Sequence, residues 1–484
     1  MDTAIIHHRR AAPMAQLTNS GAFWLYCAVI VLAPLPLGSV SPIALTVATI
    51  ALGVAVAGLL LADLRSAQVG LLAALVAFAA LTLWTLGEQL AWVQWPHSAP
   101  DPLMQDAAKL LGRDTPPGGS VVTGQPFYAM GLGAVGFLAL SGGILVGGDH
   151  RLARQVVSVA AASGLVYAIT ALASFAIEPS HVLLVYEKQA HLTSLTSPFI
   201  NRNTAGIYYG CSALIWQVLF CEVIDRHWPE DRFRFASLLR RLHKKAGSRP
   251  TVLLACWLTT LSAMFLTGSR GAVLVSLVAA VAAFVLFFHR RLPRYYGVAI
   301  AGSAGLAIAL ALLSLLGGGV SSRFSAQGLS DEGRLSTYRA TWKMALDHAW
   351  LGSGFGTFEW LYPAYRTDDI SLMGTWNRAH NSLLELASNG GMLMLGAAII
   401  VLIGGGTILT LGVFRRRRDV IFPVVGLCTL GAAVLHSTID FSLQIPGFTI
   451  FATALVGVGL AQSFRSGAAS APSPDGPTRH RHRA

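Results

Sequence analysis

From about residue 22 to about residue 463 the chain is broken into runs of roughly twenty apolar residues that carry almost no charge. A run of that length is what a helix needs to cross the hydrocarbon of a bilayer. Twelve candidate spans follow, at approximately 22–38, 43–62, 69–92, 127–147, 156–176, 203–224, 251–268, 271–288, 296–317, 392–413, 420–437 and 447–463. The expected fold is an all-α polytopic membrane protein. Composition agrees, with 54% of the 484 residues hydrophobic and 12% charged, a balance well outside that of a soluble domain. The net charge of +12 does not point to nucleic acid. The basic residues cluster in the links between apolar runs, where they fix orientation in a membrane.

With a cytoplasmic N-terminus, alternate links carry Arg65, then Arg151 and Arg154, then the basic stretch from Arg226 to Arg249. Arg290, Arg291 and Arg294 follow, then Arg415 to Arg418, and finally the tail. The positive-inside rule is obeyed at every turn, so both termini are expected in the cytoplasm. The first run, Ala22 to Gly38, follows Arg9 and Arg10 in the charge order of a signal peptide. Pro34 and Pro36 in its last turns and the lack of a small-x-small cleavage site favour a retained span. Cys27, Cys211, Cys221, Cys256 and Cys428 all fall inside spans without pairing spacing and read as packing residues.

The expected organisation is a cytoplasmic segment 1–21, spans one to nine over 22–318, a large periplasmic loop 319–391, spans ten to twelve over 392–463, and a disordered tail 464–484. The loop, from Gly319 to Gly391, is the only long polar stretch between apolar ones and is expected to be the working part. Leu335, Tyr338, Trp342, Ala345, Leu346 and Ala349 recur in it at helical spacing. A helix there, with Trp342 and Trp350, suits the membrane interface. Gly352, Gly354 and Gly356 have no strand before them, so they read as a helix stop and turn rather than a nucleotide loop.

Three basic positions fall at the outer surface under this topology. Arg270 lies in Thr267-Gly268-Ser269-Arg270-Gly271, a tight break where Ser269 can cap the next helix beside its positive end. That is an anion site suited to phosphate, although an arginine there can also reach lipid headgroups. Arg334 begins the loop helix, where a merely solvated arginine is the plainer reading. His380 stands where the loop returns to the membrane, and imidazole can act as a base at neutral pH. Asn381 and Glu385 lie four apart on the short helix expected after it. No Walker, CxxC, HExxH or Asp-x-Asp pattern occurs, so neither a metal nor a cofactor is expected.

Five segments in order resemble the O-antigen ligase and polymerase superfamily of bacterial membrane glycosyltransferases. They are Pro198 to Asn203; Thr267 to Gly271; Gly333-Arg334 with Trp342 and the turn from Gly352 to Phe358; Ala379-His380-Asn381 through Glu385 and Gly390; and His436 to Phe441. The resemblance covers about 195–445. Where the family pattern reads Asn-Pro-Asn, this chain has Asn201-Arg202-Asn203.

The resemblance implies a bacterial inner-membrane enzyme, a polyprenyl-diphosphate-linked glycan as donor, and lipid A-core or a growing glycan as acceptor. His380, Arg270 and Arg334 become the expected catalytic residues, and Arg202, Asn203, Ser269, Asn381, Glu385 and Asp440 the expected substrate contacts. Trp360, Tyr362, Tyr365 and Trp376 can line a sugar path or form an interfacial aromatic belt. Asp440 can orient an arginine or cap the last helix, with capping favoured. A ligase is favoured slightly over a polymerase, the His436–Phe441 segment resembling exopolysaccharide polymerases equally well. A non-catalytic transporter is the alternative from another class, and it predicts ionisable groups at mid-membrane, of which the spans have almost none in their central turns, Glu88 and Glu222 lying near ends.

Overall fold

The computed structural model describes residues 13–464 except 63, 93–101, 116–117, 230–236, 238–239, 293–298, 300–301, 304, 306, 308–331, 369 and 371–375. The helices are α1 (Pro13–Leu32), α2 (Pro42–Leu59), α3 (Ser66–Gln89), α4 (Pro102–Leu111), α5 (Gln125–Gly147), α6 (His150–Ile177) and α7 (Arg202–Arg226). They continue as α8 (Arg249–Leu266), α9 (Arg270–Phe288), α10 (Glu332–Asp347), α11 (Phe358–Leu361), α12 (Ser382–Arg415), α13 (Ile421–Ser437) and α14 (Pro446–Gln462). A two-residue antiparallel pair, His181–Val182 with Tyr186–Glu187, sits in the link after α6. Among the described residues eight helices are long and apolar enough to cross a membrane, and α1, α13 and α14 contribute shorter apolar stretches. This is a multi-pass membrane protein.

These helices coincide with every expected span but the ninth, 296–317, which falls largely outside the described residues. So do residues 1–12, nearly all of the tail, the first part of the loop, and Pro96, Pro100, Pro116 and Pro117 in the link between the third and fourth spans. Capping residues start several helices where the sequence changes from link to span. Asp149 caps α6 and Asn201 caps α7, each accepting from two backbone N–H groups of the first turn.

α7 is the most enclosed of the long helices, and α14 beside it is buried along almost its whole length. Small residues set these contacts. A Cβ at Gly457 of α14 would lie 2.4 Å from the Leu140 carbonyl of α5, and one at Gly206 of α7 would lie 2.7 Å from Ala272 of α9. The second contact holds the first turn of α7 against the α8–α9 junction.

The two ends of the bundle differ. At one end Arg154 of α6 binds Glu222 of α7 in a two-pronged pair at 3.0 and 2.6 Å, and Arg226 joins it at 2.9 Å. Arg291 pairs with Asp225 at 2.9 Å, and Arg416 donates to the Gln462 carbonyl. The basic links that the sequence assigns to one side therefore meet on one face. The polar loop lies at the other end.

That loop packs its own small core, with Met344, Phe358, Leu361, Tyr362, Ile370 and Ala379 buried together. α10 buries Ser336, Thr337, Ala340, Thr341 and Met344 and exposes Leu335, Trp342 and Leu346. Arg339, Lys343 and Asp347 are exposed on this helix as well.

The tenth span starts earlier than expected. α12 begins at Ser382 and is interrupted at Gly391, whose φ of 77° and ψ of 174° are not helical. The Gly352–Gly356 turn docks into the interruption. Ser353 N–H donates to Ser388 O at 2.8 Å, and Met392 N–H to Ala349 O at 2.8 Å. Gln89 closes the joint, its amide donating to Leu351 O and Asn389 O at 2.7 and 2.9 Å and accepting from Phe355 N–H at 2.9 Å. A Cβ at Gly391 would fall 2.1 Å from the Trp350 carbonyl. Gly391→Ala should therefore cost about 1–3 kcal/mol through strained backbone and a displaced turn. The check is a lower thermal unfolding midpoint of the purified protein; an unchanged midpoint would mean that the joint relaxes freely.

Candidate active site

At the loop end of the bundle, segments far apart in sequence meet around Asp440. Asn203, in the first turn of α7, donates its amide N–H to Asp440 Oδ2. The Oδ1 of the same side chain accepts from Ser269 Oγ at 2.8 Å, and Ser269 is the N-cap of α9. The Asn203 amide thereby joins the Asn201-Arg202-Asn203 segment both to the Thr267–Gly271 break and, through the Asp440 carboxylate, to the segment after α13. Thr204 and Ser442 extend the same seam with a 3.3 Å hydroxyl pair.

Arg334 enters from α10. Its Nη1 donates to the Ile439 carbonyl at 3.0 Å, one residue before Asp440. Gly271 meets the other side of Ile439, since a Cβ there would lie 2.5 Å from Ile439 Cδ1. The turn at 439–440 is thus held between Arg334 and the residue after Arg270. Tyr338, one turn beyond Arg334, donates its hydroxyl to the His380 carbonyl at 2.9 Å.

His380 completes the cluster. Its backbone is left-handed, with φ of 52°, a region in which non-glycine residues are uncommon and histidine is enriched. The imidazole Nδ1 lies 3.9 Å from Asp440 Oδ2, within ion-pair reach but beyond a direct hydrogen bond. The ring is fixed edge-on by Trp376, at 5.7 Å between centroids, and by Phe441, at 5.0 Å. Asn381 caps α12, accepting from Leu383 and Leu384 N–H at 3.2 and 3.1 Å. Glu385 accepts from Ala379 N–H at 2.9 Å and from Arg378 Nη1 at 3.2 Å. Asn381 and Glu385 therefore act on the chain that presents His380.

Burial alone would raise the Asp440 carboxyl. The neighbouring His380 and His436, with the Phe441 N–H at 2.7 Å, outweigh it and hold the group below its ordinary value. A depressed carboxylate stabilises the fold above its unfolded value, and that contribution is lost only as pH falls through the lower folded one. Asp440 is therefore charged at neutral pH. A negative charge facing Nδ1 favours the tautomer with the proton on that nitrogen, which leaves Nε2 able to accept one.

Two expectations need correction. Asp440 does not cap the last helix: a 3-10 turn at Ser442–Gln444 intervenes, and α14 starts with Pro446 after Ile445. Tyr362 does not line a sugar path, being buried in the loop core with its ring stacked on Phe358 and its hydroxyl 2.9 Å from Thr337 Oγ1. Of the other aromatics, Trp376 packs on His380, while Trp360 is 61% exposed. Arg202 stands at the start of α7 with its Nε buried and, among the described residues, without a hydrogen-bond partner. Sequence reasoning overlooked Tyr338 as a partner of His380, although it lies i, i+4 from Arg334, and Phe441, which follows Asp440 directly.

Residues 254–399 match the family model described as O-antigen ligase. The matched stretch runs from α8 into α12 and holds Ser269, Arg270, Arg334, His380, Asn381 and Glu385; Asn203 and Asp440 reach the cluster from outside it, and Arg202 also lies outside it. No curated protein matches the chain. Over the matched stretch, under a third of its length, this multi-pass membrane protein is similar to the O-antigen ligase family.

Proposed function

We propose that the protein transfers a glycan from a polyprenyl-diphosphate carrier to a sugar hydroxyl of an acceptor, on the periplasmic face of a bacterial inner membrane. The observation that carries this reading is the meeting of His380, Asp440, Asn203, Ser269 and Arg334 at the loop end of the bundle. In the step we assign, the acceptor oxygen bonds to the anomeric carbon as the bond from that carbon to the phosphate oxygen breaks. His380 takes the hydroxyl proton through Nε2, while Trp376 and Phe441 hold the ring and the Asp440 carboxylate balances its charge. Arg270, at the N-terminus of α9, and Arg334 stabilise the negative charge gathering on the departing diphosphate. One direct displacement inverts the anomeric centre. Diphosphate leaves readily, so no general acid is needed.

The acceptor we favour is lipid A-core, the ligase reaction. The polymerase reaction is the second reading, because Asp440 belongs to the His436–Phe441 segment that resembles polymerases. Deleting the gene and analysing surface glycan and carrier-linked intermediates separates them. Long chains accumulating on the carrier with bare lipid A-core mark a ligase, and single repeat units accumulating mark a polymerase. Unchanged pools would overturn both.

A further inference from the structure

A cavity of about 480 Å³ lies beside the cluster, walled by the starts of α5 and α12, the Gly352–Gly356 turn and the segment from Leu443 to Pro446. The stretch from Asn377 to Ser382, which carries His380, forms one of its walls, and the His380 side chain itself stands outside the lining. Asn377, Arg378 and Ser382 line the cavity, while Trp376 and Phe441 hold the imidazole on the same stretch. Ser382 couples the two, because its Oγ donates to the Asp440 carbonyl at 3.3 Å and receives the Gln444 amide at 3.5 Å.

The lining is divided. Leu45, Leu132, Ile445 and Pro446, at the outer ends of spans, form an apolar part. Gln125, Tyr128, Glu359, Asn377 and Gln444 form a polar part that mixes donors and acceptors with an aromatic ring. Gln444 Oε1 is buried and, among the described residues, has no hydrogen-bond partner, so a donor from a bound molecule would satisfy it. Among the charged lining groups, Arg378 is already paired with Glu385, leaving the carboxylate of Glu359. That charge disfavours a diphosphate. Arg270 and Arg334, which suit one, do not line this space.

We infer that this cavity binds the sugar of the membrane-anchored acceptor glycan, apolar part toward the lipid and polar part around the hydroxyls, with the reacting hydroxyl presented to His380. The inference rests on the proposed transfer reaction and adds where the second substrate sits. Both the lipid A-core and the polymerase reading supply such an acceptor.

The test uses the full chain in lipid vesicles, with radiolabelled diphosphate-linked donor and unlabelled acceptor glycolipid extracted from a strain lacking the gene. Glu359→Gln and Asn377→Ala alter exposed lining residues and leave the helices intact. Each should raise the half-saturating acceptor concentration about ten-fold, the scale of one or two lost hydrogen bonds, and leave that of the donor within about two-fold. A rise for the donor instead, or no change for either, overturns the inference.

A second readout is independent of turnover. The acceptor fraction should slow maleimide labelling of Asn377→Cys, in the presence or absence of His380→Asn, relative to the background from the five native cysteines. No protection overturns the inference even where transfer proceeds. Protection without any transfer by the otherwise native chain leaves the cavity assignment standing and defeats the glycosyltransferase reading.

Discussion

Replacing His380 should lower glycan transfer by about 10²–10⁴-fold, the usual contribution of a positioned general base. The protein should still insert and fold. The Asn203–Asp440 and Asn203–Ser269 bonds do not pass through the imidazole, whose Nδ1 makes no hydrogen bond among the described residues. The left-handed backbone at this position makes the choice of substitution matter. Asparagine tolerates such a backbone better than alanine and has no basic nitrogen, so His380→Asn tests the proton transfer with little added strain. Initial rates in vesicles with purified carrier-linked donor provide the measurement. A variant that folds and retains more than about a tenth of the native rate would mean that the imidazole is not the base.

The spans were legible because a bilayer imposes one length and one composition on every crossing helix. Their partners were not, because nothing local in Asn203 or Asp440 records that 237 residues of chain separate two ends of one hydrogen bond. Capping was legible at Ser269, where a hydroxyl precedes an apolar run. It misled at Asp440, whose place before the last helix looks like a cap until the intervening 3-10 turn is known. The glycines of the loop read as a turn, and they are one. What they turn into, a helix interrupted at Gly391 and closed by Gln89 from another span, depends on packing between residues about 300 apart in sequence, and no window of the sequence contains both.

The same distinction between local chemistry and distant packing decides which arginine gives the more informative variant. Arg334 already donates to the Ile439 carbonyl, so removing it would also release the turn that carries Asp440 and confound chemistry with structure. Arg270 follows the Ser269 cap, where the N–H groups and dipole of α9 add to its own charge. If that site stabilises the leaving diphosphate, Arg270→Ala should lower the turnover rate by about 10²–10³-fold while raising the half-saturating donor concentration far less, because charge on the leaving oxygen grows in the transition state. Arg270→Lys should recover part of the rate, since it restores the charge but not the planar two-pronged donor that matches phosphate. A rise in the donor half-saturation alone would make Arg270 an anchor for the bound diphosphate rather than a catalyst. Full activity in Arg270→Ala would leave it reaching for lipid headgroups, and the burden of the leaving group would fall on the first turn of α9 and on Arg334.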